Sequence, residues 1–131
     1  MSFKIRVTQN PLDAAFQSHL SDEEWAGALE VSERQDTFVL TVLSAKADPI
    51  GYAIFGLDDG DMVAVYYARS FVKGFGPLMM KQFFGVGQIL GKPLRMHVSS
   101  LRDIQVKAKM FGAEFSTDAV DGDGILQGVF S

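Results

Sequence analysis

The chain contains no cysteine, which excludes disulfides, thiol nucleophiles and zinc or iron–sulfur centres held by cysteine. It also has no apolar run of the roughly 18 residues that a membrane-spanning helix needs. The longest such run, residues 83–90, is interrupted by Gly85, Gly87 and Gln88. The first residues lack the apolar core of a secretory signal. We therefore expect a soluble, cytoplasmic protein.

Repeats, linkers and low-complexity segments are also missing from the sequence. Of its 131 residues, 47% are hydrophobic and 21% are charged, which is an ordinary balance for a globular protein. Disordered and collagenous chains do not have this composition. Because a domain usually has roughly 100–200 residues, we expect residues 1–131 to form a single domain with its own core.

The net charge is small, but the charges are unevenly distributed. The formal net charge is −4. The segment from Arg69 to Lys109 contains eight bases and one acid, Asp103, a net charge of +7, whereas the rest of the chain carries −11. This asymmetry favours an anionic ligand for the later half, although charges on solvated faces would give the same pattern. A nucleic-acid partner is not expected, because such domains are basic.

The first third of the sequence predicts one strand and two helices. Residues 3–8 alternate between apolar and polar, which predicts a half-buried strand with its odd-numbered residues inside. A helix start is predicted at Asn10, which can cap, followed by Pro11 at the first helical position. A second helix is predicted to begin at Ser21, because Ser21 and Glu24 have the spacing of a capping box.

The rest of the sequence predicts six strands and two further helices. The helix at 78–90 is expected to bury Met79, Met80, Phe83, Val86 and Leu90. The complete order, β-α-α-β-β-β-α-β-α-β-β, predicts a single α+β domain with a mixed, mostly antiparallel sheet and helices on both faces. The further strands are expected at residues 37–44, 50–57, 62–68, 94–99, 113–120 and 125–130, and the last helix at 101–111.

The loop between residues 62–68 and the helix at 78–90 is the best candidate for a ligand site. It contains Lys73, Gly74, Phe75 and Gly76. Glycines let a ligand approach the backbone closely, and the first N–H groups of a helix have no partner within it. These donors and the positive end of the helix dipole favour an anion such as phosphate. A glycine before a helix is also typical of a plain turn, so both interpretations remain open.

The strand order, the length and this loop resemble the GNAT superfamily of N-acetyltransferases, which transfer an acyl group from coenzyme A to an amine. The pyrophosphate loop of that family has the pattern Arg/Gln-x-x-Gly-x-Gly/Ala, and Phe71-Val72-Lys73-Gly74-Phe75-Gly76 falls on it. As architecture the resemblance covers nearly the whole chain. In residue detail it is limited to roughly 62–115, including Lys109-Met110-Phe111-Gly112, where family members commonly have a Lys-Leu-Gly-Phe-like stretch.

The resemblance implies acetyl-CoA, or another acyl-CoA, as the cofactor of a single acyl-CoA-binding domain. In the family, the backbone of the strand that corresponds to Val65, Tyr66 and Tyr67 pairs with the pantetheine arm. The amine would attack the thioester directly within a ternary complex. The pyrophosphate would be held by the loop, namely Phe71, Val72, Lys73, Gly74, Phe75 and Gly76, and Lys73 or another base of the 69–109 segment would neutralise further phosphate charge.

Three positions depart from the family pattern. Phe71 stands where the family has Arg or Gln, Leu101 where Asn is common, and Ala108 where a Tyr often protonates the leaving thiolate. Tyr66 and Tyr67 are the candidates to replace that catalytic acid. Successive strand residues face opposite sides, so only one of the two can point to the cleft.

Two functions therefore remain open. The first is an N-acyltransferase acting on a primary amine of a small molecule or protein, and the acidic remainder of the chain would suit a cationic acceptor. The second is a catalytically degenerate GNAT-fold protein that binds a protein partner, which the three departures favour. Very compact GNAT-like proteins resemble some that phages encode. A ligand-sensing module unrelated to acyl transfer is a third alternative with less support.

The remaining titratable residues are weaker candidates. His97, on the short strand 94–99, is a possible base relay, and a packed core histidine is the alternative. His19 is expected to be a charge partner at the end of the first helix. The aspartates of 58–61 and 121–123 lack the spacing of a Ca²⁺ loop, so solvated turns and no metal site are expected.

Overall fold

The computed structural model of the protein describes residues 3–57, 61–118 and 126–131. Its elements follow the predicted order, except that the first helix is a short 3₁₀ helix, Ala14–His19. The α-helices are α1 (Asp22–Ser32), α2 (Gly76–Leu90) and α3 (Leu101–Phe111). The strands are β1 (Phe3–Thr8), β2 (Thr37–Ser44), β3 (Pro49–Leu57), β4 (Val63–Ser70), β5 (Leu94–His97), β6 (Phe115–Asp118) and β7 (Gln127–Phe130).

The strands form a seven-stranded sheet in the order β1-β2-β3-β4-β5-β7-β6. The pairs β1–β2, β2–β3, β5–β7 and β6–β7 are antiparallel, whereas β4 and β5 are parallel. A parallel pair needs a crossover connection, which α2 supplies. The predicted mixed, mostly antiparallel α+β fold is confirmed. The turn predicted at 121–124 lies outside the described residues.

The chain packs as two compact units, so its organisation as a single domain stays a prediction. The first unit contains residues up to 56 together with 66–76, and the second contains 57–65 and 77–131. In the part of the chain that the structure describes, no helix is long and apolar enough to cross a membrane.

The first unit is built around a core between α1, the 3₁₀ helix and the strands β2 and β3. Leu12 is buried in this core, and its N–H donates to the Ser32 hydroxyl oxygen at 2.9 Å. Residues 11–13 have no regular secondary structure and the 3₁₀ helix begins at Ala14, so the helix start predicted at Asn10 is wrong. Asp13 is the cap instead, since its carboxylate accepts from Ala15 N. The buried core consists of Leu12, Phe16, Ala28, Val31, Val39, Tyr52 and Ile54.

Strand β1 differs from the prediction in which of its residues are buried. The sequence predicts that Ile5 and Val7 face the interior, but they are 42% and 48% exposed. β1 is an edge strand and, within the described residues, pairs with β2 alone, so burial of its apolar row depends on what packs over that part of the sheet. Alternation therefore predicted the strand correctly and the buried face incorrectly.

In the second unit, the burial predicted for α2 is confirmed at Met79 and Phe83 and is wrong at Leu90. The buried residues are Met79, Phe83, Phe84 and Gly87, whereas Leu90 is exposed. A Cβ at Gly87 would lie 2.9 Å from the Lys92 carbonyl oxygen. The chain can return close to the helix only over this glycine, and the 79-83-87 row consequently faces the unit's interior.

Candidate functional site

The loop between β4 and α2 has the backbone geometry of a tight turn that requires glycine. Gly74 has a φ of +84°, a conformation that L side chains rarely adopt. No atom outside its neighbours lies within 4 Å of a Cβ placed on Gly74 or on Gly76. The Phe75 N–H closes the turn by donating to the Val72 carbonyl oxygen at 3.2 Å. Both glycines therefore present open backbone in front of the first turn of α2.

The loop N–H groups divide into those already used and those still available. Phe71 N donates to the Ile50 carbonyl at 2.8 Å, and Val72 N to the Ser70 hydroxyl at 3.3 Å. Within the described residues, the N–H groups of Lys73 and Gly74 have no protein acceptor. Gly76 opens α2, so its N–H is also without a partner in the helix. Of the loop N–H groups, those of Lys73, Gly74 and Gly76 are therefore the ones that could bind an acceptor from outside the described residues.

Two phenylalanine rings hold the ends of the loop. Phe71 stacks on His19, with ring centroids 5.0 Å apart, and it also contacts Phe16 and Tyr52 in the core of the first unit. Phe75 meets Phe3 edge-on at 5.1 Å. Phe71, at the position where the family has Arg or Gln, therefore acts as an apolar anchor. His19 lies in the last helical turn, as predicted, and stacks on Phe71 there.

The two candidate tyrosines of β4 lie on opposite sides of the strand, as alternation predicts. Tyr66 is exposed and lies beside Gly56, where its ring would be 3.2 Å from an added Cβ. Tyr67 is partly buried against the core of the first unit. Its hydroxyl oxygen would be only 2.6 Å from a Cβ at Gly27 of α1. A catalytic role for either tyrosine stays a prediction.

A polar cluster beside Tyr67 was not predicted from the sequence. Tyr52 is fully buried in β3 and donates its hydroxyl to Glu24 Oε2 at 3.0 Å, while Arg69 of β4 donates to Glu24 Oε1. Burial, followed by the hydrogen bond to Glu24 and the negative charge of Glu24, raises the pKa of Tyr52 above its ordinary range. The sequence signal was Tyr52 itself, a lone hydroxyl in an otherwise apolar strand.

The other residues named in the sequence analysis lie on α3, on β5 and in the turn before β4. Ala108 is buried on α3, whereas Leu101 is an exposed apolar residue at the start of that helix. His97 is exposed on β5 while its neighbour Met96 is buried. Of the aspartates in the first acidic turn, Asp61 lies within the described residues and forms an ion pair with Lys92.

Neither a family model nor a curated protein sequence matches this chain. Solved structures do match it. An acetyltransferase from Bacillus subtilis in complex with CoA has a TM-score of 0.66 at 14% identity, covering 98% of this chain and 97% of that one. A spermidine N-acetyltransferase from Vibrio cholerae with CoA and spermine has a TM-score of 0.64 at 10% identity, covering 98% and 94%. A GNAT-family acetyltransferase from Staphylococcus aureus Mu50 has a TM-score of 0.60 at 8% identity, covering 97% and 99%.

The protein therefore has the fold of the GNAT acetyltransferases over nearly its whole length. The resemblance inferred from the sequence is confirmed at the level of the fold. Because the sequence identities are only 8–14%, these matches establish the fold and assign no role to individual residues.

Proposed function

We propose that the protein is an acyl-CoA-dependent N-acyltransferase, which moves an acetyl or other acyl group from coenzyme A to a primary amine of a small molecule or protein. The observation that carries this proposal is the loop before α2. Gly74 is left-handed, the N–H groups of Lys73 and Gly74 have no protein acceptor among the described residues, and a helix begins at Gly76. Such a turn offers several N–H donors and the positive end of a helix to one anion.

In this proposal the loop holds the pyrophosphate of acyl-CoA. The amides of Lys73, Gly74 and Gly76 donate to phosphate oxygens, and the exposed Lys73 side chain adds a positive charge. Phe71, Val72 and Phe75 shape the loop, because their N–H groups are engaged by protein atoms. The backbone of Val65, Tyr66 and Tyr67 pairs with the pantetheine arm, which places the thioester along β4.

The chemistry required of the protein is mainly positioning. The neutral amine attacks the thioester carbonyl carbon, the C–S bond breaks, and the CoA thiolate leaves and takes up a proton as the new amide loses one. Holding both reactants in one complex supplies much of the acceleration in such a transfer. Ala108 offers no proton donor for the thiolate, so Tyr66 or Tyr67 is the candidate for that role.

The acceptor is proposed to be a cation. The segment 13–36 contains seven acids and one base, a net charge of −6, and it forms the 3₁₀ helix and α1. The matched spermidine N-acetyltransferase was solved with spermine, a polyamine. Complementary charge raises the local concentration of a cationic acceptor near this segment.

Calorimetric titration with CoA and acetyl-CoA tests the proposal. The wild type should bind both, with an affinity that falls as salt increases, because phosphate charge is being neutralised. Gly74→Asp should abolish binding, since its carboxylate would face the pyrophosphate. Gly91→Asp is the matched control, because Gly91 also has a positive φ, +69°, and open space around its Cβ position. Equal CoA affinity of Gly74→Asp and wild type would contradict the loop assignment.

A second candidate function is a GNAT-fold protein without catalysis that binds a protein partner. The observation that favours it is the pair of departures on α3, where Leu101 is an exposed apolar residue and Ala108 is buried without a hydroxyl. No CoA binding and no thermal stabilisation by millimolar CoA would favour this candidate. The partner would then be sought by affinity capture with wild type and Leu101→Asp compared.

A further inference from the structure

The hydroxyl group of Tyr67 lies against helix α1 at Gly27. A Cβ at residue 27 would lie 2.6 Å from the Tyr67 oxygen and 3.6 Å from the ring carbon that carries it. Gly27 is therefore a required glycine in the middle of α1, where glycine costs about 1 kcal/mol relative to alanine. Within the described residues, the Tyr67 hydroxyl has no hydrogen-bond partner. The helix thus makes room for a phenol group that no described residue binds.

The neighbours of Tyr67 are already committed to one another. Glu24 accepts from the Tyr52 hydroxyl with one carboxylate oxygen and from the Arg69 guanidinium with the other. The three side chains come from α1, β3 and β4, so the cluster fixes α1 against the strand that carries Tyr67. Tyr52 is fully buried, whereas Arg69 and Glu24 retain 50% and 21% side-chain exposure. Arg69 is consequently the most exposed member of this cluster.

We propose that the Tyr67 hydroxyl binds the acceptor of the reaction, as a hydrogen-bond acceptor for a primary ammonium or amine group, beside the carboxylate of Glu24. This inference rests on the proposed acyl transfer, because it names the residue at which that reaction's second substrate is held. A phenol oxygen accepts an N–H bond with its lone pair, and the face of its ring also attracts a cation.

The negative charge of the neighbouring segment favours a cationic ligand, and the positions of the three tyrosines favour Tyr67 as the residue that binds it. The 3₁₀ helix and α1 belong to a segment of net charge −6, which disfavours an anion at the same face. The Tyr52 hydroxyl donates to Glu24 and is closed to solvent, so Tyr52 has no access to a ligand. Tyr66 faces the other side of β4, beside Gly56. Val65, Tyr67 and Arg69 share one side of the strand, which places Tyr67 next to the proposed path of the thioester.

The binding step can be tested without turnover and without CoA. The chain has three tyrosines, so protein labelled with ring-¹³C tyrosine gives three sets of signals, which Tyr→Phe substitutions assign. n-Butylamine, which is charged at neutral pH, should shift the Tyr67 signal in a saturable way and the Tyr66 signal little. 1-Butanol, its uncharged analogue, should leave Tyr67 unshifted. Equal shifts with both probes, or a response at Tyr66 instead, would overturn the proposal.

Substitutions separate binding from folding. Gly27→Ala should remove the Tyr67 response, because the new methyl group displaces the hydroxyl. Gly85→Ala is its matched control, since Gly85 is also in a helix and nothing lies within 4 Å of its Cβ position. Should Gly27→Ala fail to fold, Tyr67→Phe keeps the ring and loses only the oxygen. Its thermal stabilisation by n-butylamine should then vanish while that of Tyr66→Phe stays at the wild-type level.

Kinetics with an amine substrate completes the test. Tyr67→Phe should raise the KM for the amine about tenfold or more, the loss expected for a hydrogen bond to a charged group, with the KM for acyl-CoA nearly unchanged. An unchanged KM for the amine would overturn the proposal. So would an equal change in the KM of both substrates, which is the result expected of a purely structural role for Tyr67. Failure of CoA to bind wild type, with the Tyr67 response intact, would instead contradict the proposed acyl transfer alone.

Discussion

Helices α1 and α3 begin with the same sequence device and use it differently. Each has a serine cap whose hydroxyl oxygen accepts from the N–H group three residues later, Ser21 from Glu24 and Ser100 from Asp103, both at 3.1 Å. An acid occupies the third helical position in both cases. A capping box directs that acid back towards the cap, where it accepts a backbone N–H.

The two acids go to different partners. Asp103 Oδ2 accepts from the backbone N of Ser99 at 3.0 Å and from Lys107 of its own helix at 2.8 Å, so it closes the start of α3 locally. The Glu24 carboxylate instead accepts hydrogen bonds from Tyr52 of β3 and Arg69 of β4. An acid in a capping box is therefore available for tertiary structure, and in α1 it joins the helix to the strand of the proposed site.

Removing each acid should produce the largest difference between the helices. Glu24→Ala leaves the Tyr52 hydroxyl buried without an acceptor and should lower the free energy of unfolding by about 2 kcal/mol. Asp103→Ala should cost about 1 kcal/mol, because the flexible Lys107 side chain can turn its ammonium to water. Urea denaturation of both variants measures the difference, and equal costs would contradict the distinction drawn between the two acids.

Removing each cap should produce nearly equal effects. Ser21→Ala and Ser100→Ala each lose one hydrogen bond to an exposed helix N-terminus, so each should lower the free energy of unfolding by about 1 kcal/mol. The measurement is the same denaturation experiment, with wild type as the reference. A much larger loss for Ser21→Ala would mean that the Glu24 cluster depends on the cap, and the two devices would then not be separable.

Lowering the pH should destabilise the start of α3, by less than the removal of a serine cap does. Burial raises the pKa of Asp103, but hydrogen bonds from Lys107 and from the Ser99 N–H, together with the charge of Lys107, outweigh it and hold the pKa below its ordinary value. The unfolded chain then takes up the proton first as pH falls. The stability from Asp103 is complete above its unfolded pKa of about 3.9 and is lost as pH falls through the folded value.

Comparison of wild type with Asp103→Asn checks this dependence. The variant should be less stable at pH 7 by less than about 1 kcal/mol, and the difference should shrink towards pH 3. Denaturation at a series of pH values gives the measurement. A difference that stays constant between pH 7 and pH 3 would show that the ionised carboxylate contributes nothing in α3.

Local patterns were sufficient to predict the order of the elements and the glycine turn before α2. Alternation and helix caps predicted the strands and the starts of α1 and α3, and the left-handed Gly74 lies where the sequence places a glycine turn. The errors concern the start of the first helix and the residues of β1 and α2 that are buried. Burial of Ile5 and Val7 in β1 and of Leu90 in α2 depends on what packs against them, and Gly87 reveals its close contact only in the folded chain.

The order of elements, the starts of α1 and α3 and the glycine loop were determined by the sequence itself, because each depends on residues within a few positions of one another. Tertiary structure decided the partner of Glu24, the pairing of Gly27 with Tyr67 and the use of Phe71 as an apolar anchor. Glu24 meets Tyr52 and Arg69 across 28 and 45 residues of chain. No periodicity or cap signal extends over such a separation, so these contacts exist only once β3, β4 and α1 have packed.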